Sequence, residues 1–230
     1  MRHPSWQTFF PIGGIITILL LVLFTWAGSI YGMDIVNLLS ADGIRWMFSS
    51  VVPNIVKSPL PMFLLGLMTI SALHASGLLQ ALRGHTNPKQ KNALIIAMTV
   101  LALFAVALAL LTLLPSATLL SPFSTFSHSP FLQGIPSISL IAIITTADIY
   151  GYTSGRLSSM ADVINANTQL ISGIASYFLT FIIIAQMVAY LDYSQVFNLI
   201  CEDTTTGMQV FEYTAYLIPL TFYLIDYYRE

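Results

Sequence analysis

The sequence predicts an all-α, polytopic membrane helix bundle of about six transmembrane helices with both termini on the cytoplasmic side. Three observations predict it. Apolar residues make up 56% of the 230 and charged residues only 8%, whereas a soluble surface needs roughly a quarter of the chain charged to be wetted. The apolar residues gather into runs of about 20, the length that crosses the hydrocarbon core. The basic residues then fall unevenly on the two sides of those runs, as orientation in a membrane demands.

The first run covers residues 9–31, with no Lys, Arg, Asp or Glu between Arg2 and Asp34. A cleavable signal carries a shorter apolar core, about 7–15 residues, and a small-residue cleavage site. This run ends instead in Trp26 and Tyr31, which read as interfacial aromatics, so a retained helix is expected. Residues 35–56 mix Leu38, Leu39, Ile44, Trp46, Met47 and Phe48 with Asp42 and Arg45. Ser40 or Asp42 stands where a helix start needs a cap. The segment reads as a short amphipathic helix in the outer interface, or as a loop packed on the bundle.

The second run spans 60–82, between Lys57 and Arg83, and the third spans 93–114 and is stopped by Pro115. The uncharged stretch from Pro115 to Pro130 is rich in Ser, Thr, Phe and Pro and reads as an outer loop. A fourth run covers 131–155, with Pro136 near its start and Asp148 inside it. The fifth covers 169–191. The last, 210–224, is shorter and holds Glu212 among Phe211, Tyr213, Tyr216, Phe222 and Tyr223. It either spans or lies partly in the interface. Together the runs make one transmembrane domain over 1–230.

Orientation follows from charge. With the N-terminus inside, Arg2, Arg83, Lys89, Lys91, Arg156 and Arg229 are cytoplasmic, and only Arg45 and Lys57 lie outside; this distribution obeys the positive-inside rule.

Several function classes are excluded. A net charge of −2 supplies no basic field for nucleic acid. The single cysteine, Cys201, cannot build a disulfide framework or thiolate cluster, and His3, His74, His85 and His128 have no ligand spacing, so no metal site is expected. No phosphate loop or nucleophile elbow occurs. The chain therefore reads as neither an enzyme nor a cofactor binder.

Asp148 is the most informative residue. A carboxylate inside a span costs about 2.5–3.5 kcal/mol on insertion scales, so it is normally given a partner or a water-filled cavity. It reads either as a proton or substrate site or as an acid paired with Arg156 or with a neighbouring Thr or Tyr. Arg156 is eight residues on, roughly 12 Å along an ideal helix and about 80° around it. A partner on another helix, such as His74 or the Asn165/Gln169 face, or a watered pocket is the better expectation.

Asn165, Gln169, Ser172, Ser176 and Thr180 recur at helical spacing and would form one polar stripe, with Gln186 beside it further out. Such a stripe lines a polar path or makes interhelical hydrogen bonds. Gly151 and Gly155 form a small-residue pair that invites close approach of another backbone, including that of a second copy or a partner. His74 reads as a proton shuttle or as a hydrogen-bonded packing residue.

Two stretches carry a family resemblance, residues 38–84 and 129–199. Their features are Gly43-Ile44-Arg45-Trp46-Met47, Ser76-Gly77-Leu78, Ser129-Pro130-Phe131-Leu132, Tyr150-Gly151, Asp162-Val163, and Ala185-Gln186 with Ala189-Tyr190. Both stretches resemble segments of the p-aminobenzoyl-glutamate transporter (AbgT) family of inner-membrane secondary transporters. The chain looks like a short form without the family's two re-entrant hairpins.

The resemblance implies a multi-pass protein of the bacterial inner membrane. It implies proton-coupled transport of p-aminobenzoyl-glutamate-like or related aromatic anions. Asp148 would carry the proton and Arg156 would pair with the small anionic substrate, while Asn165, Gln169 and Gln186 contact substrate or water. Its partners would be the lipid bilayer and either a second copy or a membrane partner protein. The alternative is a non-transporting scaffold or accessory subunit derived from the transporter frame.

Overall fold

The computed structural model describes residues 6–84, 87–113, 130–199 and 204–229, and these are helical with no strand among them. In chain order the helices are α1 (Trp6–Ile30), α2 (Ala41–Ser49), α3 (Val51–Lys57), α4 (Leu60–Ser76) and α5 (Leu78–Leu82). They continue with α6 (Pro88–Leu113), α7 (Pro130–Ser154), α8 (Met160–Gly173), α9 (Tyr177–Ser194), a 3-10 turn at Val196–Leu199, and α10 (Thr204–Arg229). The expected outer loop at 115–130, except for Pro130, and Cys201 lie outside the described residues.

Four helices are long and apolar enough to cross a membrane: Trp6–Ile30, Pro88–Leu110, Gly134–Ser154 and Tyr177–Ser194. A fifth is counted if Val51–Lys57 and Leu60–Ser76 form one broken span. The protein is thus an all-α membrane bundle.

The helix boundaries depart from the apolar runs in three places. The run over 60–82 is broken at Gly77, which adopts a left-handed φ of 74°. The run over 169–191 is not one helix, because α8 ends at Gly173 and α9 starts at Tyr177. The last run belongs to a 26-residue helix, about 39 Å long at the ideal rise. Its length suffices to cross, but it is not among the helices that are also apolar enough.

Residues 35–56 hold two short helices. Ser40 starts the first, its Oγ accepting the Gly43 amide at 3.0 Å, the bond an N-cap serine makes.

The chain forms two compact units, Met1–Leu60 with Gly173–Glu230, and Pro61–Ser172. In the first, α1 and α10 pack on α9, and α3 packs there too. A Cβ on Gly14 of α1 would sit 2.6 Å from Ile183 Cγ2 of α9, so the bare backbone there lets the two helices approach. One end of this unit is closed by buried Leu21, Leu38 and Val196 beneath Trp46, Tyr190 and Tyr193. Further along, Tyr177, Phe181 and Tyr216 are fully buried, with the Phe181 and Tyr216 rings stacked at 4.3 Å. The Tyr177 hydroxyl donates to the Tyr216 carbonyl at 2.8 Å.

The second unit is built on small residues. Ala72, Ala81, Ala93, Ala97 and Ala147 are buried in one cluster with Leu78 and Tyr150. Alanine at the contact lets α6 and α7 pack closely, which favours association where burial of apolar surface gives no drive. The outward side of α6 carries exposed Ile95, Ile96, Leu103, Val106 and Leu110, as a lipid-facing helix does.

The start of α8 is set by a reciprocal cap. Asp162 accepts the amides of Ser158 at 2.9 Å and Ser159 at 3.0 Å. The Asp162 amide donates to Ser159 Oγ at 3.2 Å. These are the two halves of a capping box, with Asp in place of the usual Glu. The bonds from Ser158 and Ser159 hold the Asp162 carboxyl below its ordinary range.

Candidate functional site

In the second unit the polar site is centred on Asp148. The acid lies within α7, half-buried, with Thr145, Thr146 and Tyr150 near it in the helix. Its carboxylate accepts from Asn167 Nδ2 of α8 at 3.1 and 2.9 Å. The same amide nitrogen donates to the Val163 carbonyl at 2.9 Å, so its two hydrogens serve three acceptors. Among the described residues no Lys, Arg or His lies at ion-pair distance from Asp148. The partner comes from another helix, as the axial distance to Arg156 required. It is Asn167, however, and neither His74 nor Asn165 nor Gln169.

Beside Asn167, α8 is held by a side chain of α4. The Ser71 hydroxyl donates to the Ala166 carbonyl at 2.6 Å and accepts the Leu170 amide at 3.3 Å. Residues 166 and 170 are the two ends of one helical turn, so the hydroxyl ties α4 to that turn of α8. Asn167 and Ser71 are both buried. Asn167 Oδ1 is also buried and meets no partner among the described residues. A half-buried carboxylate, a buried amide with spare accepting capacity and a hydroxyl joining two helices thus sit together.

The remaining residues expected at a polar path are not brought to this site. Arg156 is exposed and donates to Gln80 at 3.2 Å. Its guanidinium lies over Gly77, whose left-handed φ of 74° is what favours glycine at this turn. Asn165, Gln169, Ser172 and Ser176 are exposed, and the break at residues 174–176 divides the expected stripe between two helices. Only Thr180 is buried, sharing a hydrogen bond with the Tyr223 hydroxyl at 2.8 Å. His74 is exposed near the end of α4. Gly151 is closed by Leu157 and Ser76 of its own unit, whereas Gly155 is exposed and meets only the flexible end of Lys89.

Gln186 belongs to the first unit, where it holds α3 on α9. Its Nε2 donates to the Val51 carbonyl at 2.9 Å and its Oε1 accepts from Asn54 at 3.0 Å. Beside it lies a cleft of about 410 Å³ lined by Lys57, Asn54 and Ser58 from α3 and its end, by Asp192 and Tyr193 from α9, by Glu212 and Tyr216 from α10, and by Trp46. Trp46 and Tyr193 stack at 3.9 Å and 11° along one wall. A second cleft of about 400 Å³ shares Asp192, Met208 and Glu212 with the first.

Asn167 escaped sequence reading because it falls off the stripe at 165, 169 and 172. A depth count would have found it. Asp148 lies six residues before the end of α7 and Asn167 seven after the start of α8, each roughly 10 Å from the connection. The cleft could not be read at all, since its walls come from segments over a hundred residues apart.

The fold and these buried polar groups define a multi-pass membrane protein. The model of the AbgT putative transporter family matches residues 82–227, well over half of the chain, and the chain belongs to that family. The match takes in residues 200–227, which the two resembling stretches leave out, and leaves aside most of residues 38–84. The family is one of transporters. No curated protein and no solved structure matches the chain.

Proposed function

We propose that the chain is a proton-coupled secondary transporter of a small carboxylate-bearing aromatic solute in the bacterial inner membrane, with Asp148 as the group that takes up and releases the proton. One observation carries this reading. The acid is half-buried in a span against an amide, with no cation at ion-pair distance among the described residues. A permanent ion pair would fix its charge, because protonating one partner strands the other. An asparagine imposes no such lock, since its amide donates to a carboxylate and its carbonyl accepts from a carboxylic acid. Rotation of the Asn167 side chain would present Oδ1, which has no partner among the described residues, to the protonated acid.

The test is uptake into proteoliposomes under an imposed pH gradient, with p-aminobenzoyl-glutamate and aromatic amino acids as candidate solutes. Accumulation that collapses when the gradient is dissipated supports the proposal; uptake indifferent to the gradient refutes the coupling.

A second reading, an accessory subunit, draws on the exposed polar face of α8 at Asn165, Gln169 and Ser172. That face would be covered by a partner helix. It predicts no uptake by the purified chain under any gradient and a co-purifying membrane protein.

A further inference from the structure

We infer that the cleft of the first unit is a binding site for a single zwitterionic aromatic amino acid, its ammonium between Glu212 and Asp192 and its carboxylate at Lys57. This deepens the transporter reading by naming the solute class, and rests on it only for the step after binding.

Lys57, Asp192 and Glu212 line one cleft, yet among the described residues none of them is in an ion pair. The two carboxylates repel one another, and Glu212 is half-buried, where charge is screened less than at an open surface. Lys57 and Asp192 are exposed at the mouth of the cleft and Glu212 lies deeper, so charges of both signs are presented to an entering ligand, and a ligand of matching charges is selected by complementarity. An anion alone meets two carboxylates, and a cation alone meets Lys57. A zwitterion satisfies both.

The walls complete the selection. Asn54 is held in place by Gln186, a buried amide, so the polar side facing the ligand is fixed before binding. The stacked Trp46 and Tyr193 rings offer a flat apolar wall, the surface against which another aromatic ring packs. The volume, about 410 Å³, is in the range of small-molecule sites and admits one amino acid rather than a peptide.

Calorimetric titration of the purified full chain in nanodiscs tests the assignment without any transport step. The probes are L-phenylalanine, phenethylamine, which lacks the carboxylate, and 3-phenylpropionate, which lacks the ammonium. L-phenylalanine should bind saturably and at least about tenfold more tightly than either analogue. Lys57→Gln should bring its affinity down to that of phenethylamine, and Glu212→Gln down to that of 3-phenylpropionate.

Equal binding of phenethylamine would make this a cation site, and equal binding of 3-phenylpropionate an anion site; either overturns the assignment. So does the absence of L-phenylalanine binding up to about 10 mM, or an affinity unchanged in both variants. If a variant does not fold, the three-probe comparison on the unaltered chain decides. Failure of proton coupling would appear in uptake and leave these titrations untouched.

Discussion

Replacing Gln186 by leucine probes how the first unit holds its cleft open. The substitution keeps the side chain's bulk and removes two hydrogen bonds, to the Val51 carbonyl at 2.9 Å and from Asn54 at 3.0 Å. Hydrogen bonds between helices in membrane proteins contribute about 0.6 kcal/mol on average and up to about 1.7 kcal/mol. Val51 is exposed and Asn54 half-buried at the cleft, so water reaches the abandoned groups and the large penalty for a sealed polar atom does not apply. The expected loss is about 1–2 kcal/mol, which for a chain of this size lowers Tm by roughly 3–6 °C.

Thermal unfolding in detergent, followed by circular dichroism, measures it. A double-mutant cycle with Asn54→Ala isolates the side-chain pair and should return a coupling of about 0.6 kcal/mol or more. Strict additivity of the two substitutions, or a Gln186→Leu variant as stable as the parent, would refute the claim that this amide ties α3 to α9.

Two further outcomes are expected. Asp162 is held below its ordinary pKa by the bonds from Ser158 and Ser159, so its contribution to the start of α8 is present above the unfolded carboxyl pKa, about 4, and is lost as pH falls through the folded value. Amide protection factors at residues 158–163 should therefore drop on acidification in the parent and be low and pH-independent in Asp162→Asn; a pH-dependent drop that survives in the variant would contradict this. If the positive-inside expectation holds, the segment from Arg83 to Lys91 faces the cytoplasm; a cysteine introduced as Asn87→Cys should then react with an impermeant maleimide only from the inner face, and labelling from outside would overturn the topology.

The membrane bundle was legible because lipid imposes a simple rule: apolar runs of spanning length must be helices, and α1, α6 and α7 each cover one such run, α6 starting five residues before it. The breaks were less legible. Gly77 and residues 174–176 interrupt runs that hydropathy treats as continuous, since a hydropathy window sums transfer free energies and is blind to a left-handed turn or to a missing rung. The polar stripe failed for the same reason: spacing of three and four places residues on one face only while the helix continues, and here it stops at Gly173.

Asp148 was found because its cost in a span is large whatever surrounds it. Its partner was not, because choosing among Asn165, Asn167 and Gln169 depends on the rotation of α8, which Ser71 fixes from a segment nearly a hundred residues earlier. Lys57, Asp192 and Glu212 each looked like ordinary boundary charges, and only folding gathers them into one cleft.

The most direct measurement of the central claim is the pH profile of solute uptake by the Asp148→Asn variant reconstituted beside the parent chain. The amide keeps the shape of the acid and cannot be ionised, and against Asn167 it still forms an amide–amide hydrogen bond. The account predicts that the variant inserts and folds, binds solute, and shows no uphill accumulation and no response to an imposed pH gradient. Gradient-driven accumulation by Asp148→Asn, with the parent's pH dependence intact, would contradict it.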